Sequence, residues 1–381
     1  MGDVGLLKSY KTLPLVVERG LDVHIWDAAG KKYLDLYAGH AVASTGHCHP
    51  KVVKAIQDQA AKLIFYSNVA EMKLRDEAGA ALMKTVPAGF TRVLFANSGA
   101  EANENALKMA RRHTGRLNIV AMTGGFHGRT AGAISATGIE KYRAAAVPLV
   151  PGISFVPFGD LKALEAAVTM ETAAVLLEPI QSMAGVKAAP AEYFQGLRAL
   201  CDRHGALLIY DEVQTGIGRT GTMFFAGRHG VRPDLITLAK GIASGVPLSA
   251  VLVPSLIAER VQVGEYGATF GAGPVAMAAM KATLEVIAEE RLLENVTSTG
   301  AHLAERLKST PGVREVRGLG FLAGIKIDGD AAKAQKMLLE RGVIVGTADE
   351  PGILRIMPPL TLSRGQVDEL VGPLRETLDG H

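Results

Sequence analysis

Between residues 90 and 240 the chain alternates two patterns of hydrophobicity. Short runs that are apolar at almost every position, bounded by Gly, Asp or Asn, recur at residues 91–96 (TRVLFA), 118–122 (NIVAM), 173–177 (AAVLL), 206–210 (ALLIY) and 235–238 (LITL). Strands of a parallel sheet covered on both sides look like this. Residues 100–113 and 193–204 instead space their apolar side chains three and four apart, the period of a helix. Alternating strand and helix predicts right-handed crossovers and an α/β sheet layered with helices. The two ends read differently. Residues 13–37 alternate as a hairpin about Asp27-Ala28-Ala29-Gly30, and residues 275–381 mix long helices with strands such as 320–327. No internal repeat or low-complexity linker interrupts the chain. Three segments are therefore expected: 1–50 joining a small domain, 51–270 forming the large domain, and 271–381 completing the small α+β domain.

Composition narrows the class. The 381 residues are 48% hydrophobic and 21% charged, which suits a globular chain with a large core and excludes disorder. The net charge of +3 is spread out, with no basic block, so nucleic acid is not an expected partner. The two cysteines, Cys48 and Cys201, make no disulfide framework. MGDVGLLKSYK lacks a long apolar core, and no run of about 18 apolar residues is present. A cytoplasmic protein away from membranes is expected. Gly46-His47-Cys48-His49-Pro50 crowds ligand-type residues together, but no second cluster completes a zinc site. It reads as a turn before a helix starting near Lys51, and no metal is expected.

Four motifs carry the candidate chemistry. LLIYDEVQTG ends an apolar run at Asp211 and Glu212. Ligands in open α/β sheets bind beyond the carboxyl ends of strands, so Asp211 is either a functional acid or a satisfied structural one. Asn97-Ser98-Gly99-Ala100-Glu101 follows a strand and opens a helix, with Ser98 and Glu101 spaced as a capping box. Its small residues and free amides suit a phosphate, although a plain capped helix has the same pattern. Gly124-Gly125-Phe126-His127-Gly128-Arg129-Thr130 offers a stacking ring, an imidazole and a guanidinium among glycines. Lys240 ends the run LITLAK, where a desolvated amine can form a Schiff base or a long side chain can reach solvent. A phosphate cradle, a stacking ring, a strand-end carboxylate and a strand-end lysine together match the needs of pyridoxal 5'-phosphate.

With FANSGAEANENALKMAR, GGFHGRT, EPIQ, DEVQTGIGRTG, LAKG, ATFG and LRIMPPL, the chain resembles the class III (ω-type) aminotransferases of fold-type I. Within them it is most similar to the acetylornithine and ornithine aminotransferases, from about residue 10 to the C-terminus. The resemblance implies a large domain with a mostly parallel seven-stranded sheet, and a homodimer. It implies that Lys240 holds the cofactor aldehyde as an imine and shuttles a proton, and that Asp211 pairs with the pyridine nitrogen. Gln214 meets the ring hydroxyl, Phe126 and Val213 cover the two ring faces, and Ser98, Gly99 and Ala100 bind phosphate. Thr269 reaches the phosphate in the neighbouring subunit. His127 belongs to the cofactor site, and Glu178 supports it from behind. Arg129, Arg355 and Tyr10 bind substrate carboxylates.

Three departures bear on substrate. Ser182-Met183 stands where the family has Gly-Glu, so Arg355 is expected to lack its usual acidic partner, and Met183 is expected to touch substrate. His40 occupies a pocket position that is usually apolar or aromatic, and Thr269-Phe270-Gly271-Ala272-Gly273-Pro274 lacks an asparagine. The expected activity is ping-pong transfer of the terminal amine of an N-acetylornithine-like ω-amino acid to 2-oxoglutarate. The alternatives are another ω-amine such as ornithine, 4-aminobutyrate or a diamine, a decarboxylase, racemase or aminomutase on the same fold, or a non-catalytic cofactor-binding protein.

Overall fold

A computed structural model describes residues 5, 7 and 9–379. Its centre is a seven-stranded sheet in the order Phe90–Ala96, Ser249–Pro254, Leu235–Leu238, Leu207–Asp211, Thr172–Leu177, Asn118–Thr123, Ile153–Pro157. Ser249–Pro254 runs antiparallel to both neighbours, and the other strands run parallel to one another. All five anticipated runs are strands. Ile153–Pro157 was not anticipated because it is an edge strand, half exposed, with no continuous apolar signal. Ser249–Pro254 was missed because it ends in a proline, which normally argues against a central strand.

Alternate residues of the central strands enter opposite cores, as the pleat requires. Leu208, Tyr210, Ile236 and Leu238 join the larger core, while Leu207, Ile209 and Leu235 pack with Ala102, Ala106 and Ala110 of the helix Gly99–Thr114. That helix begins where the sequence indicates. Ser98 Oγ accepts from the Glu101 amide at 3.2 Å, and Gly115 closes the other end with φ +70°. The Glu101 carboxylate returns to the amide of Asn97 rather than that of Ser98, a one-residue departure from a standard capping box.

The chain ends meet in space. Lys32–Asp35, in a sheet with the Val17–Leu21 and His24–Asp27 strands, pairs in parallel with Val343–Ile344. A second sheet orders Val313–Leu319, Leu322–Ile327, Ile353–Ile356 and Gly346–Thr347. The helix Pro50–Lys62 starts after the His-Cys-His turn, where His47 and His49 meet Asp35 and Glu290, each at 2.8 Å. No helix among the described residues is long and apolar enough to cross a membrane.

Candidate active site

Asp211 and Lys240 come from adjacent strand ends. Leu207–Asp211 and Leu235–Leu238 are parallel neighbours, with Asp211 in register with Thr237, and Lys240 lies two residues beyond Leu238. The pleat turns Asp211 and Thr237 to the face covered by the helix Gly99–Thr114, which supplies Asn103. Asn103 Nδ2 donates to Asp211 Oδ2 at 2.7 Å and to the His127 carbonyl at 2.8 Å. Its Oδ1 accepts from Thr237 Oγ1 at 2.7 Å. His127 Nδ1 closes the set on Asp211 Oδ2 at 2.7 Å, and the Val213 amide donates to Oδ1 at 3.0 Å. A carboxylate that is 3% exposed is thus held by neutral donors and an imidazole. Glu212, one residue on, points to the other core. There it accepts from the amides of Phe225 and Ala226 at 2.6 and 2.7 Å, so the two adjacent acids have unrelated jobs.

Close backbone approaches bring the remaining motifs together. A Cβ on Gly99 would lie 3.0 Å from Val213 Cγ2 and 3.6 Å from Ala239 Cβ, so the cradle turn abuts both strand ends. At Gly128, with φ +134°, a Cβ would meet Ala100 Cβ at 2.5 Å, which seats the Phe126-His127 loop on the same helix start. Glu178 Oε1 accepts from the Phe126 amide at 2.8 Å. Lys240 itself adopts φ +48°, a left-handed conformation that a long side chain rarely takes outside functional positions.

The electrostatics follow from burial. Desolvation pulls the Lys240 ammonium below its ordinary range, opposed by the charges of Asp211 and Glu178 and assisted by Arg355. Burial, then the charge of Asp211, pushes the Glu178 carboxyl up to about 7. Arg355 is 2% exposed, and burial lowers its basicity too. Its Nε donates to the Thr347 carbonyl at 2.7 Å, Nη1 to Ser182 Oγ at 3.0 Å and Nη2 to Tyr37 Oη at 2.9 Å. Among the described residues it has no carboxylate partner, as the Ser182-Met183 departure led one to expect. Met183 is half-buried on the same loop.

Arg129 is exposed and stacks over Tyr142 at 4.9 Å and Tyr10 at 5.5 Å, with Tyr10 itself 71% exposed. Phe126 packs edge-on against Tyr142. His40 bonds through Nδ1 to Tyr37 Oη at 2.9 Å. Thr269 lies exposed beside Phe270, with no bond to the other site residues. Sequence reasoning missed Asn103, Thr237 and Tyr37. Asn103 falls inside a quoted motif, but only strand register and helix docking reveal its partners.

Several features of the protein alone call for a ligand. Gln214 Oε1 is buried without a hydrogen-bond partner among the described residues. At the helix start, the Glu101 amide is capped by Ser98 Oγ and the Ala102 amide by the Ser98 carbonyl, which leaves those of Gly99 and Ala100 open. Pyridoxal phosphate matches these groups in kind. It offers a hydroxyl for Gln214, an anion for the helix start, an aldehyde for Lys240 and a protonated ring nitrogen for Asp211.

Comparison with known proteins agrees. Residues 7–378 match the family model described as aminotransferase class-III. The chain is 41% identical to the acetylornithine aminotransferase of Methanothermobacter thermautotrophicus, over 97% of this chain and 95% of that one. It is 43% identical to the enzyme of the same name from Archaeoglobus fulgidus, over 96% of each. The structure superposes with a TM-score of 0.92 on an ornithine aminotransferase from Toxoplasma gondii described with partial occupancy of PLP at its active site. That match is 29% identical and covers 98% of this chain and 91% of the other. The chain therefore belongs to the class-III aminotransferases, enzymes that work through pyridoxal 5'-phosphate.

Proposed function

We propose that the protein moves the terminal amino group of an N-acetylornithine-like ω-amino acid to 2-oxoglutarate in two half-reactions. The observation that carries this reading is Lys240, its basicity lowered by burial, on the strand end next to the one that ends in buried Asp211. The names of relatives at 41% and 43% identity support the choice of donor.

When bound, the cofactor supplies an aldehyde that captures amines and a ring that accepts the electron pair released at the substrate carbon. Ser98, Gly99 and Ala100 hold its phosphate, Gln214 its hydroxyl, and Phe126 and Val213 its faces. Asp211 keeps the ring nitrogen protonated, with His127 fixing Asp211 and Glu178 fixing the Phe126 amide. Lys240 retains the cofactor through Nζ and, once released, moves the proton at the reacting carbon. Arg355 and Arg129, with Tyr10, bind the carboxylates. Thr269 serves a second copy of the chain in a homodimer, and each subunit has a large domain of residues 51–270 and a small domain of residues 271–381 joined by residues 1–50.

The test is visible absorption of the loaded enzyme as N-acetylornithine, ornithine, 4-aminobutyrate and putrescine are added singly. The cofactor band is expected to convert with N-acetylornithine and to persist with putrescine. Conversion by another amine alone would reassign the donor, a reading that Met183 and the lack of a carboxylate bonded to Arg355 among the described residues favour. A Lys240→Ala variant that turned over freely would remove the catalytic assignment.

A further inference from the structure

Tyr37 and His40 sit on a strained turn. Ala38, Gly39, His40 and Ala41 all have positive φ, at +48°, +58°, +68° and +64°. Three of the four carry a Cβ, so this left-handed turn is unfavourable by itself. Buried Asp35 enforces it. Its Oδ1 accepts from the amides of Tyr37 and Ala38, each at 2.9 Å, and its Oδ2 is tied to His47 at 2.8 Å. The opposite wall is equally close. A Cβ on Gly346 would lie 2.1 Å from the Tyr37 ring, so only glycine lets that strand pass. Strain held in place by its surroundings is typical of functional positions.

The turn delivers a chain of hydrogen bonds that starts at Arg355. Arg355 can only donate, so Tyr37 Oη accepts from Nη2. The phenol's one hydrogen is then free for His40 Nδ1, which accepts it when the neutral imidazole carries its proton on Nε2. Burial and the charges of Arg355 and Lys240 all favour that neutral form. The His40 ring also lies 4.5 Å from that of Tyr37. Ser182 Oγ, the other side-chain partner of Arg355, is neutral as well and turns its own hydrogen toward Met357 Sδ at 3.6 Å. The carboxylate whose field reaches Arg355 is Glu178, and that group is occupied by the amides of Phe126 and Ser182.

We propose that Tyr37 and His40 form with Arg355 a neutral carboxylate-recognition relay. In it Tyr37 is a positioning residue that fixes the guanidinium, and His40 is the terminal acceptor that orients the Tyr37 hydroxyl. An arginine held by an acid loses that grip on a substrate carboxylate whenever the ion pair closes. One held by a phenol and a serine hydroxyl keeps its full charge for the ligand. Arg355 is thus open to a carboxylate in both half-reactions, and the site selects donors that bring one. This rests on Arg355 being the substrate-carboxylate contact.

The experiment is calorimetric binding of glutarate, a dicarboxylate that cannot react, to the pyridoxal phosphate-loaded enzyme. Tyr37→Phe keeps the ring and removes the hydroxyl. It is expected to weaken glutarate on the order of tenfold, and to raise KM for 2-oxoglutarate similarly with kcat within about a factor of two. His40→Phe is expected to weaken glutarate by about two- to threefold, and His40→Asn, which retains an acceptor, to restore it. Wild-type-like binding by Tyr37→Phe overturns the relay, as does His40→Asn behaving like His40→Phe. Wild-type enzyme that transaminates yet fails to bind glutarate removes Arg355 from carboxylate binding, and the relay with it. Absence of any transamination would instead sink the broader functional reading.

Discussion

Asn103 is the most exacting test of the network beneath the cofactor. Asn103→Ala removes three hydrogen bonds, to Asp211 Oδ2, the His127 carbonyl and Thr237 Oγ1, from a side chain that is 1% exposed. Each buried group left without a partner costs roughly 1–3 kcal/mol. Asp211 Oδ2 keeps His127 Nδ1, which argues for the lower half of that range and about 3–5 kcal/mol in total. With an unfolding entropy of about 2.1 cal/mol/K per residue, 381 residues give about 0.8 kcal/mol/K, so the midpoint of the cofactor-free protein should fall by about 4–6 °C. The released carboxylate also points less well, which should weaken pyridoxal phosphate about tenfold, near 1.4 kcal/mol. Differential scanning calorimetry of the cofactor-free protein and absorbance titration with the cofactor give the two readings separately. A midpoint within about 1 °C of wild type, with cofactor affinity within about twofold, would refute the claim that Asn103 sustains the site.

Gln214→Met removes an acceptor that has no partner among the described residues, so cofactor-free stability should hold or rise while cofactor affinity falls several-fold, read by the same two assays. Glu212→Gln should destabilise by about 1–3 kcal/mol although it removes a buried charge. Both carboxylate oxygens accept backbone amides, and an amide NH₂ must face one of those donors, so unchanged denaturant stability would count against this. Glu178 gives a pH dependence with a definite sign. Its folded carboxyl holds its proton up to about 7 while the unfolded group releases it near the ordinary 4.5, so its stabilisation is fully present below 4.5 and lost as pH rises through about 7. The cofactor-free wild type should therefore lose more stability than Glu178→Gln between about pH 5 and pH 8, and identical slopes would dismiss the raised value.

The parts of this molecule legible in the sequence carry their signal locally. Four of the five anticipated sheet strands declare themselves by apolar runs because they are buried on both faces, while Phe90–Ala96 is an edge strand marked by its apolar VLFA end. Asp211 and Lys240 stand out because each interrupts such a run at its carboxyl end. Ile153–Pro157, at the other edge, is short, half exposed and ends in a proline, and it carries no such signal. Asn103 looks like any polar residue on a helix until strand register sets Thr237 beside Asp211 and the helix is laid over both. Tyr37 reads as one more apolar position in YLDLYAG, and its role depends on a left-handed turn that sequence periodicity cannot express. The paired acids Asp211 and Glu212 show the same limit. Adjacent in sequence, they part to opposite faces, one toward the site and one toward the Phe225-Ala226 loop.

The charges of the site make sense as an arrangement completed by its ligands. Burying an ion without a counter-ion is unfavourable, and each buried ion here is surrounded mainly by neutral partners or pushed toward its neutral form. Asp211 is held by an amide side chain, a backbone amide and His127, Arg355 by two hydroxyls and a carbonyl, and Lys240 and Glu178 are shifted toward neutrality. Closing Asp211 onto Lys240 or Arg355 would stabilise the empty protein but would set each against its ligand. On the proposed reading, the phosphate is left to the helix start and its backbone amides, so no side-chain cation is diverted to it. In that proposal Asp211 keeps its charge for a ring nitrogen and Arg355 for a carboxylate. On the proposed reading, the stability given up in the empty site becomes selectivity, because a cofactor that carries a cation neutralises Asp211 and a substrate that carries a carboxylate neutralises Arg355.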